Sequence, residues 1–174
     1  MLSGKNSAAD NPHWYVGCVR SCQEKNVAAS LQAKARQYYL PLRRELRQWS
    51  DRKKIIESPV VPRFIFIRCP DSERAEILRE EPRIWCFLSF SGKPAVVRDE
   101  EMEAFRRMVE NSGKTVRFTA RQLAPGDRVR IASGPLTGLE CELVSVQAGR
   151  CLAVKLGLLG SATMDLDVET LERI

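Results

Sequence analysis

Pro125 to Val144, PGDRVRIASGPLTGLECELV, constrains the fold more than any other stretch, because it fits a strand, a glycine-proline turn and a second strand into twenty residues. Val129 and Ile131 alternate with charged or small neighbours, Gly134-Pro135 and Gly138 punctuate, and Cys141 and Leu143 restart a period of two. The same grammar continues downstream. Gly149 precedes Cys151–Leu156, Gly157–Ser161 makes another turn, and Ala162–Leu166 precedes a closing segment that ends at Ile174. Five short strands in about fifty residues predict a small closed β-barrel, an arrangement that leaves no exposed sheet edge.

Upstream the period changes. His13–Arg20 (HWYVGCVR) reads as a strand apolar on both faces, followed by Ser21-x-x-Glu24, a capping box for a helix whose buried stripe is Val27, Leu31 and Ala35. Tyr38–Leu42 is a short strand that Pro41 places at a sheet edge or strand end. Arg43–Ser50 and Arg52–Ser58 flank a Ser-Asp turn and form a protruding hairpin with Trp49 near its tip. Pro59–Arg68 puts Phe64 and Phe66 on one face of a strand and Ile65 and Ile67 on the other. Asp71 or Ser72 caps a helix that Pro82 stops, Ile84–Phe90 is a further strand, and Gly92-Lys93 turns the chain. Asp99 caps a last helix with Met102, Phe105, Met108 and Val109 on one side and Gly113 at its end. The order β-α-β-β-α-β-α predicts an α+β sandwich with an antiparallel sheet, joined by a linker to the barrel. The expected divisions are a disordered N-terminus at 1–12, an α/β domain at 13–110, a linker at 111–122 and the barrel at 123–174.

At 174 residues, 44% apolar and 29% charged, the chain has the composition of a soluble globular protein, and it contains no run of about 18 apolar residues that would span a membrane. Residues 1 to 12 lack the apolar stretch of a signal peptide, so an intracellular, cytoplasmic protein is expected. Six cysteines without a CxxC pair then read as reduced, mostly buried thiols. The net charge of +6 is uneven: 20 basic against 15 acidic residues through Glu110, 8 against 7 beyond it. Arg43–Lys54 alone holds six basic residues and two acids, where a polyanion would be met unless the run is simply a solvated face.

No sequence feature points to catalysis. His13 is the only histidine, which removes histidine triads and mixed Cys/His zinc sites; Cys18 and Cys22 read as independently packed thiols; Asp99-Glu100-Glu101 sits where a helix dipole accounts for it. GxGxxG and GxxxxGK[ST] are both absent. Neither an enzyme, a cofactor nor a metal is expected.

The stretch from Pro125 resembles the KOW motif, and the chain from about residue 13 to 174 resembles NusG-type transcription elongation factors. Trp14-Tyr15-Val16, Leu40-Pro41-Leu42, the basic Trp49-Ser50-Asp51-Arg52-Lys53-Lys54 and Pro62-Arg63-Phe64-Ile65-Phe66 match that family's N-terminal domain in order, with Arg63 where a glycine or asparagine is usual. Trp49–Lys54 is most similar to the UpxY branch, which acts on capsular polysaccharide operons.

This resemblance implies a factor that grips the β′ clamp helices of RNA polymerase through Cys18, Val61, Phe64, Phe66 and Phe87. Taken from the residues alone, these side chains serve equally as core. The resemblance further implies that Arg43, Arg44, Arg47, Arg52, Lys53 and Lys54 face non-template DNA or nascent RNA, and that Leu139, Leu158 and Leu159 dock a small-subunit ribosomal protein or Rho. It points to an operon-specific antitermination factor acting as a monomer. The alternatives are a general factor coupling polymerase to Rho or the ribosome, and an RNA-binding or ribosome-associated KOW protein.

Overall fold

A computed structural model describes residues 10–111, 113–120, 123–146, 149–165 and 171–174. Residues 1–9, most of the N-terminus expected to be disordered, lie outside the described residues, as do 112, 121 and 122 of the expected linker and 167–170 of the closing segment.

Strand β1, His13–Val19, is the centre of the N-terminal sheet. Helix α1 (Glu24–Ala33), edge strand β2 (Gln37–Tyr39), the hairpin β3 (Leu42–Gln48) and β4 (Lys53–Pro59), and strand β5 (Phe64–Cys69) follow it. A single 3-10 turn at Asp71–Glu73 leads into helix α2 (Arg74–Glu80), then strand β6 (Ile84–Phe87). A small ribbon of β7 (Ser89–Phe90) and β8 (Lys93–Pro94), strand β9 (Val96–Val97) and helix α3 (Asp99–Asn111) complete this half. The sheet order is β2-β5-β1-β6, with β9 pairing β1 further along; β2 occupies the edge, as Pro41 led one to expect.

Because β1 and β5 are apolar on both sides, the sheet is covered twice. Tyr15, Val19, Ile65 and Ile67 pack against Val27 and Leu31 of α1 and Ile77 of α2. Trp14, Val16 and Phe66 pack against Met102, Phe105 and Met108 of α3. The alternation of Phe64–Ile67 thus builds two cores from one strand.

Four local expectations are corrected. Ser21 and Glu24 form no capping box: α1 begins at Glu24 itself, Gln23 precedes it without a side-chain cap, and the Glu24 carboxylate is engaged elsewhere. Ala35 is not on the buried stripe but beyond the helix, at φ 53°; its N–H reaches Gln32 O and the Arg36 N–H reaches Leu31 O, a Schellman closure normally given to glycine. Asp99 is the first residue of α3 rather than its cap, and it pairs with Arg68, while the Glu101 carboxylate reaches back to the Arg98 N–H. Ile84–Phe90 divides at Leu88: Ile84–Phe87 pairs β1, whereas Ser89–Phe90 leaves that sheet to pair Lys93–Pro94 across the turn at Ser91 (φ 49°) and Gly92 (φ 75°).

Asp10, inside the segment expected to be disordered, accepts hydrogen bonds from the Asp71 and Ser72 N–H groups at 3.0 Å each, capping the turn before α2.

The C-terminal part is entirely β: β10 (Val116–Thr119), β11 (Asp127–Ile131), β12 (Glu140–Val146), β13 (Gly149–Lys155), β14 (Ser161–Asp165) and β15 (Leu171–Arg173). They form one antiparallel sheet ordered β10-β14-β13-β12-β11-β15. The five expected strands are present. A sixth, β10, comes from the stretch expected as linker, where Val116 and Phe118 alternate and pair with Met164 and Ala162 of β14. No ladder joins β10 to β15 among the described residues, so the closure expected of a barrel is not seen there. The C-terminal sheet rests on α3: Arg107 donates to Thr137 O at 2.9 Å, and the Gly157 N–H donates to Glu101 at 3.2 Å. No helix among the described residues is long and apolar enough to cross a membrane.

Candidate functional site

The register of β1 sorts the five expected docking residues onto two faces. Cys18 stands opposite Phe64 and Val16 opposite Phe66, while Gly17 stands opposite both Ile65 and Phe87. Cys18, Phe64 and Phe66 therefore share the α3 side of the sheet, and Val61 joins the same core. Phe87 lies on the other side, edge-on to Tyr15 with ring centroids 6.1 Å apart and with the Arg74 guanidinium 5.9 Å from its ring. Cys18, Val61, Phe66 and Phe87 are buried, and Phe64 is half-buried at the rim. Phe64 is thus the member of the set with surface to offer.

Its position is fixed from behind. The residue before it, Arg63, has φ 68°. The Arg63 N–H donates to Glu24 Oε1 at 2.8 Å, and the Arg63 carbonyl accepts from the Val19 N–H at 2.8 Å. A left-handed turn without glycine is held at both ends by α1 and β1.

Beside this edge the β3–β4 hairpin projects, as the Ser50-Asp51 turn signal predicts. Its six cations are not equivalent. Arg43 pairs with Glu45 at 2.6 Å, Arg44 with Glu57 at 3.1 Å, and Arg47 approaches Glu45 at 3.9 Å. Arg52, Lys53 and Lys54 are exposed and have no acidic partner among the described residues, so uncompensated charge gathers at the tip, next to Trp49, which is 58% exposed. Leu46 and Ile55 stand directly opposite each other and are 64% and 66% exposed, an aliphatic pair on a hairpin otherwise charged. Counting outward from the turn would have found it. Trp85, 59% exposed, was also missed: it is the extra residue where pairing jumps from Cys18–Cys86 to Val19–Ile84, and no period in the sequence marks such a bulge.

In the C-terminal sheet, Leu139 and Leu159 are buried and Leu158 is 59% exposed, so one of the three expected partner-binding leucines is available at the surface. Buried thiols fill the remaining candidate chemistry. Burial pushes Cys69 and Cys141 up to about 11, which makes them packing groups rather than nucleophiles at neutral pH. Among the described residues no three His, Cys, Asp or Glu side chains are placed to hold a metal.

The family model described as transcription termination factor NusG matches residues 12–106, more than half of the chain. The protein belongs to the NusG family. Among solved structures it is similar to NusG from Thermotoga maritima, in a study of domain interaction, at 20% identity and TM-score 0.49 over 94% of this chain and 98% of that one. A second similarity is to a structure titled MjSpt4:Spt5 complex, conformation A, at 13% identity and TM-score 0.31 over 92% of this chain and 98% of that one. No curated protein matches the chain.

Proposed function

We propose that this NusG-family protein is a transcription elongation and antitermination factor that binds RNA polymerase through the sheet edge around Phe64 and meets nucleic acid through the β3–β4 hairpin. The observation that carries the reading is the separation of charge along that hairpin: Arg43 and Arg44 near its base are paired with Glu45 and Glu57, whereas toward the tip Arg47 stands opposite Lys54 with only a 3.9 Å approach to the Glu45 that Arg43 already holds, and Arg52, Lys53 and Lys54 have no acidic partner among the described residues. A tip of three free cations beside an exposed indole suits a phosphate backbone with an unstacked base, as on an exposed non-template strand.

The action is differential binding rather than covalent chemistry. A factor that favours the elongating state of polymerase over the paused state by about 1 to 3 kcal/mol shifts pausing some five- to 150-fold. The N-terminal unit, 13–110, performs this, and the C-terminal unit, which begins at β10, carries the exposed Leu158 to a further protein partner, a small-subunit ribosomal protein or Rho. The similarity of Trp49–Lys54 to the UpxY branch supports action on particular operons, those for capsular polysaccharide. The small charge excess of the C-terminal half, 8 basic against 7 acidic residues, favours this over a protein that binds RNA through its KOW sheet.

Single-round transcription by cognate polymerase on a template with a pause and a terminator, ahead of which its own recruitment sequence is placed, tests the reading. Shorter pauses and more read-through support it, and unchanged transcripts together with no co-purification of polymerase refute it.

A further inference from the structure

Cys18 and Cys86 are direct partners across the antiparallel pair β1–β6. Opposed residues in such a pair have Cα atoms about 4.5 to 5.5 Å apart, within the window that a disulfide spans. Cys18 is buried, whereas Cys86 lies on the outermost strand and is partly open to solvent. Burial, and then the neighbouring Cys86 thiol, pushes Cys18 up to about 12, so the two sulfurs sense each other directly. Both are free thiols, and Trp85 bulges out immediately before Cys86, giving β6 slack at this point.

We propose that Cys18 and Cys86 are a redox-sensitive pair, closed to a disulfide by a peroxide and reopened by a dithiol. The accessible Cys86 sulfur, as thiolate, attacks one peroxide oxygen; the O–O bond breaks, a hydroxide leaves and takes up a proton as water, and Cys86 becomes a sulfenic acid. The Cys18 sulfur then attacks the Cys86 sulfur, the S–S bond forms, the S–O bond breaks, and the second oxygen leaves as water with the remaining thiol proton. Two thiols lose two electrons and two protons, and one peroxide becomes two waters. The high proton affinity of Cys18 slows its attack in free solution, and its fixed position opposite Cys86 offsets that. Closing the bond draws Cβ atoms of about 4.5 to 5.5 Å separation toward about 3.8 Å, so the disulfide is strained and readily reduced.

Cys18 stands between Cys86 on one side and Phe64 on the other, so the bond forms on the sheet face that carries Phe64. Its effect on polymerase binding rests on the docking reading above; the bond itself does not.

The full chain is treated with hydrogen peroxide, its remaining thiols are alkylated, and it is digested without reductant for mass spectrometry. The expected result is a peptide joining Cys18 to Cys86 and two hydrogens lighter, with two of the six thiols lost and both restored by dithiothreitol. Cys86→Ser, at a partly open position, keeps the fold and abolishes the joined peptide. Recovery of Cys18 as an alkylated thiol, with Cys86 unreacted, over-oxidised or joined to another cysteine, overturns the proposal. Polymerase binding of the oxidised and reduced protein is compared separately: equal absence of binding counts against the docking reading and leaves the cross-link standing.

Discussion

The Glu24 carboxylate accepts a hydrogen bond from the Arg63 backbone N–H at 2.8 Å, tying the first residue of α1 to the turn that feeds Phe64 into the sheet. Glu24 is 6% exposed, so an acid that the sequence offers as a helix cap is spent on holding a strained turn. Removing the carboxylate in Glu24→Ala orphans a backbone donor and lowers stability by about 1 to 3 kcal/mol. Arg63→Gly relieves the left-handed conformation at φ 68° and raises it by about 1 kcal/mol. Urea midpoints of the two variants, moving in opposite directions, check both.

The same logic applies at the end of α1. Ala35 at φ 53° closes a Schellman motif with no side-chain role, being exposed. Ala35→Gly raises stability by about 1 kcal/mol, read as a higher denaturant midpoint with unchanged far-UV circular dichroism.

Glu81 is buried and receives two hydrogen bonds from the Arg83 guanidinium, at 2.5 and 2.8 Å. These bonds hold its carboxyl down at about 2 against an ordinary 4.5. Since the folded value lies below the unfolded one, the stabilisation is complete above about pH 4.5 and is lost as pH falls toward 2. Glu81→Gln flattens the stability profile in that window, measured as thermal midpoints from pH 2 to 7.

Gly157 has φ 55°, and a Cβ there would lie 2.5 Å from the Val96 carbonyl oxygen. Gly157→Ala therefore pushes the C-terminal sheet off the start of α3, at a cost of about 2 kcal/mol. Faster hydrogen exchange along α3 and at the Gly157 N–H, which donates to Glu101, with the β11–β12 ladder still protected, is the expected signature.

At the hairpin, the unpaired tip and the compensated base give different salt dependence. Replacing Arg52, Lys53 and Lys54 by alanine lowers the slope of log affinity for single-stranded DNA against log salt by about 2, at roughly 0.7 per phosphate contact. Replacing Arg44, already held by Glu57, changes it by less. Titrations at several salt concentrations separate the two.

Much of this was legible in the residues. The alternation Phe64–Ile67 gave a strand buried on both faces, the Ser50-Asp51 turn gave the hairpin, and Met102, Phe105 and Met108 gave the buried stripe of α3. The side of the sheet that Phe87 occupies was not legible, because it depends on which residue of β1 stands opposite, and a slip of one reverses the face. The charge compensation of Arg44 was hidden for the same reason, since Glu57 becomes its neighbour only once the hairpin register is set. Glu24 misled because its caps and turns are defined by a partner 39 residues away. Val116–Thr119 lacked strand length of its own and became one only against β14.

Docking of polymerase on the rim formed by Phe64 is tested most directly by the affinity of Phe64→Ser for purified cognate polymerase, beside the wild-type chain. With the thermal midpoint and circular dichroism showing a folded variant, binding weaker by tenfold or more is the predicted result. Undiminished binding by the folded variant would contradict it.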